Sequence, residues 1–153
     1  MTDPCSTDDA AIATPHERLS ALLRDLNRTL RGAVDRRLEP MGLSQAQWRP
    51  LLALHKAAAP LTQTELARVL EIETPSLVRL LDRLAEKQWI ERRSAPGDRR
   101  VRQVVLTPSA QELVQRILPI VRQVRDEAFA DLSAAELQAC CEALDKVRER
   151  LRA

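Results

Sequence analysis

The sequence predicts a mainly α-helical chain of six helices with one small β-hairpin between the fourth and the fifth. Three observations support this fold class. Of the 153 residues, 44% are hydrophobic but only 2% are aromatic, with no Tyr. Such a core is built from Leu, Val, Ile and Ala, which favours helices packed on helices over a β-sandwich rich in aromatic and β-branched residues. Six helix-start signals punctuate the chain. One segment, 89–106, instead shows short β-branched or alternating runs.

The starts justify the elements in order. Thr14-Pro15-His16-Glu17 offers an N-cap, a proline at the first helical position and a Glu to complete a capping box, opening a helix over 15–39. Ser44-Gln45-Ala46-Gln47 and Thr62-Gln63-Thr64-Glu65 open helices over 45–58 and 63–71. Thr74-Pro75 and Thr107-Pro108 are cap-plus-proline starts for 75–88 and 108–131. Ser133-Ala134-Ala135-Glu136 opens 134–152. Pro50 and Pro119 fall inside two of these helices, where kinks rather than breaks are expected because the apolar pattern continues on both sides. Between Trp89–Arg93 and Val101–Leu106, the segment Ala95-Pro96-Gly97-Asp98 puts Pro and Gly at the centre of a type II turn. That makes a hairpin with a basic tip.

Bulk properties narrow the function. Net charge is only +2. Residues 74–102, however, hold eight basic residues against four acidic ones, a local patch that points to a polyanion partner. Residues 1–13 are small, polar and acidic and read as a disordered tail without the basic start of a signal peptide. No apolar run approaches the length of a membrane span, so no membrane partner is expected. Cys5, Cys140 and Cys141 form no disulfide framework, which fits a reduced cytoplasmic protein. Three glycines provide no phosphate-cradling loop, and no nucleophile–base–orienter set is visible, which argues against an enzyme. His16 and His55 have no ligand-spaced Cys or carboxylate, so neither metal nor cofactor is expected.

Two short helices joined by Ile72-Glu73-Thr74 have helix-turn-helix spacing. In the second, Leu77, Leu80, Leu81 and Leu84 form an inner face, with Ser76, Arg79 and Arg83 opposite. A recognition helix reads base edges from its N-terminal turns, where Arg suits guanine and Ser suits phosphate oxygens. A basic hairpin directly after it is a wing, so 44–107 reads as a winged helix-turn-helix. Leu19, Leu22, Leu26, Leu30, Val34 and Leu38 form an apolar stripe on the first helix; Leu137, Cys141, Leu144, Val147 and Leu151 form one on the last. These stripes mark 14–43 and 108–153 as a helical dimerisation region, with packing inside one chain as the alternative. Candidate interface residues are Leu19, Leu22, Leu26, Leu137, Cys141, Leu144 and Leu151.

The runs Leu61-Thr62-Gln63-Thr64-Glu65-Leu66-Ala67 and Pro75-Ser76-Leu77-Val78-Arg79-Leu80-Leu81-Asp82-Arg83-Leu84, with Asp98-Arg99-Arg100 and Leu106-Thr107-Pro108, resemble the MarR family of regulators, nearest its SlyA-like branch. The resemblance covers about residues 40–110. It implies a triangular homodimer paired through both terminal regions. Pro75, Ser76 and Arg79 would face the major groove, Arg99 the minor groove, and Asp98 and Arg100 would brace the wing tip. Thr62, Gln63 and Arg83 complete the candidate DNA-binding set. One departure stands out: the family's Gly at the exit of the recognition helix is Gln88 here, and Gly alone enters the left-handed region without a Cβ penalty.

The expected function is a sequence-specific double-stranded-DNA regulator, read as a repressor on a pseudo-palindromic operator. The alternative is a winged-helix module that binds protein. The resemblance further implies release by a small aromatic carboxylate, with Trp48 as stacking face and Arg79 as carboxylate partner. His55, two helical turns after Trp48, would line the same cavity. The competing reading makes Trp48 core and His55 a partly exposed polar residue. Redox sensing is disfavoured: adjacent cysteines on a helix diverge, and Cys141 lies on the apolar stripe as a small buried hydrophobe.

Overall fold

The computed structural model describes residues 14–95 and 97–152; the expected tail, 1–13, lies outside them, as does Pro96 of the turn. The order is α1 (Pro15–Leu38), a single 3-10 turn (Glu39–Met41), α2 (Gln45–Lys56), β1 (Leu61–Thr62), α3 (Gln63–Leu70), α4 (Thr74–Glu86), β2 (Ile90–Ala95), β3 (Asp98–Leu106), α5 (Pro108–Ala128) and α6 (Ala134–Arg152). Six helices and a small antiparallel sheet are therefore present, as the sequence predicts.

The caps make the expected bonds. The Thr14 hydroxyl accepts from the Glu17 N–H at 3.3 Å, while the Thr14 N–H donates to the Glu17 carboxylate at 2.7 Å. Thr62 with Glu65, and Ser133 with Glu136, repeat this reciprocal box. Each pairing holds its glutamate below the usual carboxylate range, because the bonds favour the ionised form. Two details differ from expectation. The N-cap of α4 is Glu73 rather than Thr74, because the Leu77 N–H closes the first helical turn onto the Glu73 carbonyl at 3.0 Å. The hairpin also gains a third strand: β1 pairs with β3 through Leu61↔Val104 and Thr62↔Gln103, giving the order β1-β3-β2. A two-residue strand is too short to show periodicity. Both α2 and α5 run unbroken through Pro50 and Pro119.

The core joins the end of α1 to α2, α3, α4, the inner face of α5 and the sheet. Leu38, Leu51, Leu66, Leu77, Leu81, Leu84, Val104, Val114 and Ile117 are fully buried there. Leu80, expected on the inner face, is only half-buried. Thr107 is buried usefully: its hydroxyl donates to the Gln88 carbonyl at 2.7 Å and accepts from the Ala110 N–H at 3.2 Å. It thus caps α5 and ties the end of β3 to the exit of α4.

Packing is uneven along α1. Val34 and Leu38 are buried, whereas Leu19, Leu22, Leu23 and Leu26 are 40–55% exposed. In α6 no residue is buried, and only Leu137 is half-buried. Cys140 and Cys141 are both exposed free thiols, so the expected burial of Cys141 is not achieved within one chain. The two stripes therefore do not pack on each other inside the chain.

Candidate nucleic-acid interface

The N-terminus of α4 keeps its first N–H groups free of any side-chain cap. Glu73 makes no side-chain cap, and no acidic residue stands in the first turn. The first N–H groups stay open to an outside acceptor, with the Glu73 carboxylate standing beside them at the N-cap. Thr74, Pro75, Ser76, Val78, Arg79, Asp82, Arg83 and Glu86 form the exposed side of the helix. Leu77, Leu81 and Leu84 anchor the other side in the core. Among the described residues Arg79 and Arg83 have no carboxylate partner; the Arg83 Nε donates to the Arg79 carbonyl at 3.4 Å. Thr62 and Gln63, half-buried, begin α3. The Glu71 backbone turns between α3 and α4 with φ 56°, a left-handed residue that the sequence did not signal.

The wing follows at once. Gln88 has φ 56°, the left-handed conformation that a glycine enters most easily, adopted here despite its Cβ. Gly97 has φ 87°, as the third position of a type II turn requires. The Asp98 carboxylate accepts from the Arg100 N–H at 2.9 Å and so braces the tip internally. Arg99 lies in β3, but its side chain is outside the described residues. Arg93 is held by Glu91 at 2.8 Å, and Arg92 reaches back to Asp82 on α4 at 2.7 Å. Ten positions separate that second pair, so no local spacing rule could have found it.

The expected ligand residues are not brought together in the single chain. Trp48 is 6% exposed and its Nε1 donates to Asp35 at 3.2 Å. It edges a cavity of about 320 Å³ with Arg31, Arg49, Lys56 and Arg125. Arg49 donates to the Leu70 carbonyl at 3.0 Å; burial, then repulsion from Arg31, lowers its pKa from the usual guanidinium value. His55 instead lines a separate concavity of about 510 Å³ with Arg93, Gln111 and Gln115. Two helical turns carry it about 10 Å along α2, away from α1 and towards the sheet. Arg79 borders neither. The cations beside Trp48 come from α1, α2 and α5, a convergence that only the tertiary fold reveals. No cluster of three His, Cys, Asp or Glu groups suited to a metal occurs among the described residues, and no described helix is long and apolar enough to cross a membrane.

Comparisons with known proteins agree with this geometry. Residues 41–101 match the family model described as the MarR family. The transcriptional regulator PA3341 is 36% identical with a TM-score of 0.82, over 88% of this chain and 98% of that one. Wild-type MarR from E. coli in its apo form is 30% identical with a TM-score of 0.72, over 84% of this chain and 96% of that one. A cysteine-to-serine mutant of E. coli MarR complexed with operator DNA is likewise 30% identical, with a TM-score of 0.73, over 85% and 93% of the two chains.

Proposed function

Because this chain belongs to the MarR family of transcriptional regulators, we propose that it is a cytoplasmic repressor that binds a pseudo-palindromic DNA operator as a homodimer. The observation that carries the reading is the exposed α4 face holding Arg79 and Arg83, neither paired with a carboxylate among the described residues, beside a braced basic wing. One contacts the major groove, the other the minor groove. On this reading Pro75, Ser76 and Arg79 meet base edges and phosphates, assisted by Thr62, Gln63 and Arg83. Arg99 enters the minor groove between Asp98 and Arg100. Residues 44–107 form the DNA-binding region; 14–43 and 108–153 form the dimer region. The Pro75–Leu84 and Asp98-Arg99-Arg100 runs favour the SlyA-like branch. The operator-bound relative supports duplex DNA over a protein partner.

We also read a small aromatic carboxylate as the releasing effector. Four cations around an apolar cavity edged by Trp48 support this class of ligand. Arg49 there takes the place first given to Arg79, and His55 drops out because it faces a different concavity.

The test begins with an operator selected by the wild-type protein from random duplexes, then titrated with salt beside a scrambled duplex. Arg79→Ala should weaken operator binding and relax base preference. Arg99→Ala should weaken all duplexes evenly, because the minor-groove code is degenerate. Each lost phosphate contact should flatten the slope of log affinity against log salt by about one unit, doubled in a dimer. Millimolar salicylate should quench Trp48 in a Trp89→Phe background and lower operator affinity. No salt-sensitive duplex binding at all would leave a protein-binding module; unchanged fluorescence and affinity would remove the effector class.

A further inference from the structure

We propose that Arg92 is a positioning residue for DNA recognition, fixing the wing against the recognition helix through its bridge to Asp82. The proposal rests on the duplex-binding reading above. Asp82 shares an exposed stripe of α4 with Pro75, Arg79 and Glu86, at positions i, i+4, i+7 and i+11. Arg92 is the third residue of β2, opposite Val104 of the central strand. Their contact, 2.7 Å from guanidinium to carboxylate, is the one ion pair that joins α4 to the sheet among the described residues.

Two features set it apart from an ordinary surface pair. The Arg92 side chain is only 29% exposed, and its Nε is buried with no acceptor. A partly exposed ion pair adds little to stability, so stability alone does not account for the arrangement. Asp82 also places negative charge on the face that meets phosphates, which opposes non-specific DNA binding. What the pair does accomplish is to hold two separate DNA-reading elements at a set angle. Once α4 lies in the major groove, the wing reaches the adjacent minor groove as an intramolecular event. The gain from that second contact depends on how well its orientation is already set.

This role gives a signature that charge alone does not. Removing Asp82 adds one positive charge per protomer to the DNA face, so affinity for scrambled duplex should rise a few-fold, with a steeper salt slope. If Arg92 and Asp82 position the wing, affinity for the selected operator should fall about three- to tenfold in the same variant. The full-length protein is tested as wild type, Asp82→Ala, Arg92→Ala and the double variant. Thermal unfolding serves as the check that each is folded. The double variant should lose less operator affinity than the two single losses multiplied together. Asp82→Asn, which keeps an acceptor for Arg92, should hold operator affinity near wild type and still raise scrambled binding. Asp82→Ala strengthening both duplexes alike, or independent effects of the two alanines, would overturn the proposal. A wild type with no preferred duplex would instead sink the DNA-binding reading on which it stands.

Discussion

Gln88 shows how much of this interface turns on single backbone positions. It stands at φ 56°, where an L side chain costs roughly 1–2 kcal/mol against the right-handed alternative. Its backbone is pinned: the N–H donates to the Ala85 carbonyl at 2.8 Å and its own carbonyl accepts from Thr107 at 2.7 Å. The side chain is exposed. Gln88→Gly should therefore relieve strain while adding some freedom to the unfolded chain, for a net gain of about 0.5–1 kcal/mol. Urea unfolding measures this, with Gln88→Ala as a control that should gain nothing. A glycine variant no more stable than wild type would mean that the glutamine side chain repays its own strain. The sequence already displayed this position as a departure. Glu71 adopts the same conformation unannounced, since Glu has no special tolerance for it.

At the scale of elements, capping carboxylates make α3 sensitive to acid. The Thr62 N–H and hydroxyl hold Glu65 below the usual carboxylate range. A depressed carboxylate contributes stability that is complete above its unfolded pKa, about 4.3, and is lost as pH falls through the lower folded value. Glu65→Gln should thus lower the melting temperature at pH 7 by a small margin that closes towards pH 3. A margin that persists at pH 3 would show that the charge of Glu65 is irrelevant. These caps are also why the helices were legible. A cap spans four neighbouring residues, so Thr14, Thr62, Thr107 and Ser133 each announced a start that the fold adopts. The links between elements were not legible. Arg92 to Asp82, Arg37 to Glu127 at 2.6 Å and Arg31 to Glu71 depend on how helices and strands meet, which no local pattern encodes. The surroundings of Trp48 and His55 were not legible for the same reason: the two share a helix but border different concavities in the single chain.

At the scale of the whole molecule, the apolar surface argues for a second copy. Leu19, Leu22 and Leu26 on α1 and Leu144, Val147 and Leu151 on α6 stand open to solvent at opposite ends of the sequence. Singly exposed leucines are common, but stripes that repeat every three or four residues along two helices suit the dimer region proposed above. Because these side chains are not buried in the single chain, replacing them should leave the winged helix-turn-helix folded. Leu26→Glu with Leu144→Glu should therefore turn a micromolar dimer into a folded monomer in sedimentation. The same change should reduce operator affinity by more than tenfold. A twofold dimer presents two recognition helices to half-sites about one DNA turn apart, and a monomer engages only one. Inserting five base pairs between the half-sites should weaken wild type by turning one site to the far side of the duplex, yet leave the monomeric variant unaffected. A wild type that sediments as a monomer, or that tolerates the insertion as well as the variant does, would confine recognition to one chain and leave both stripes without a function.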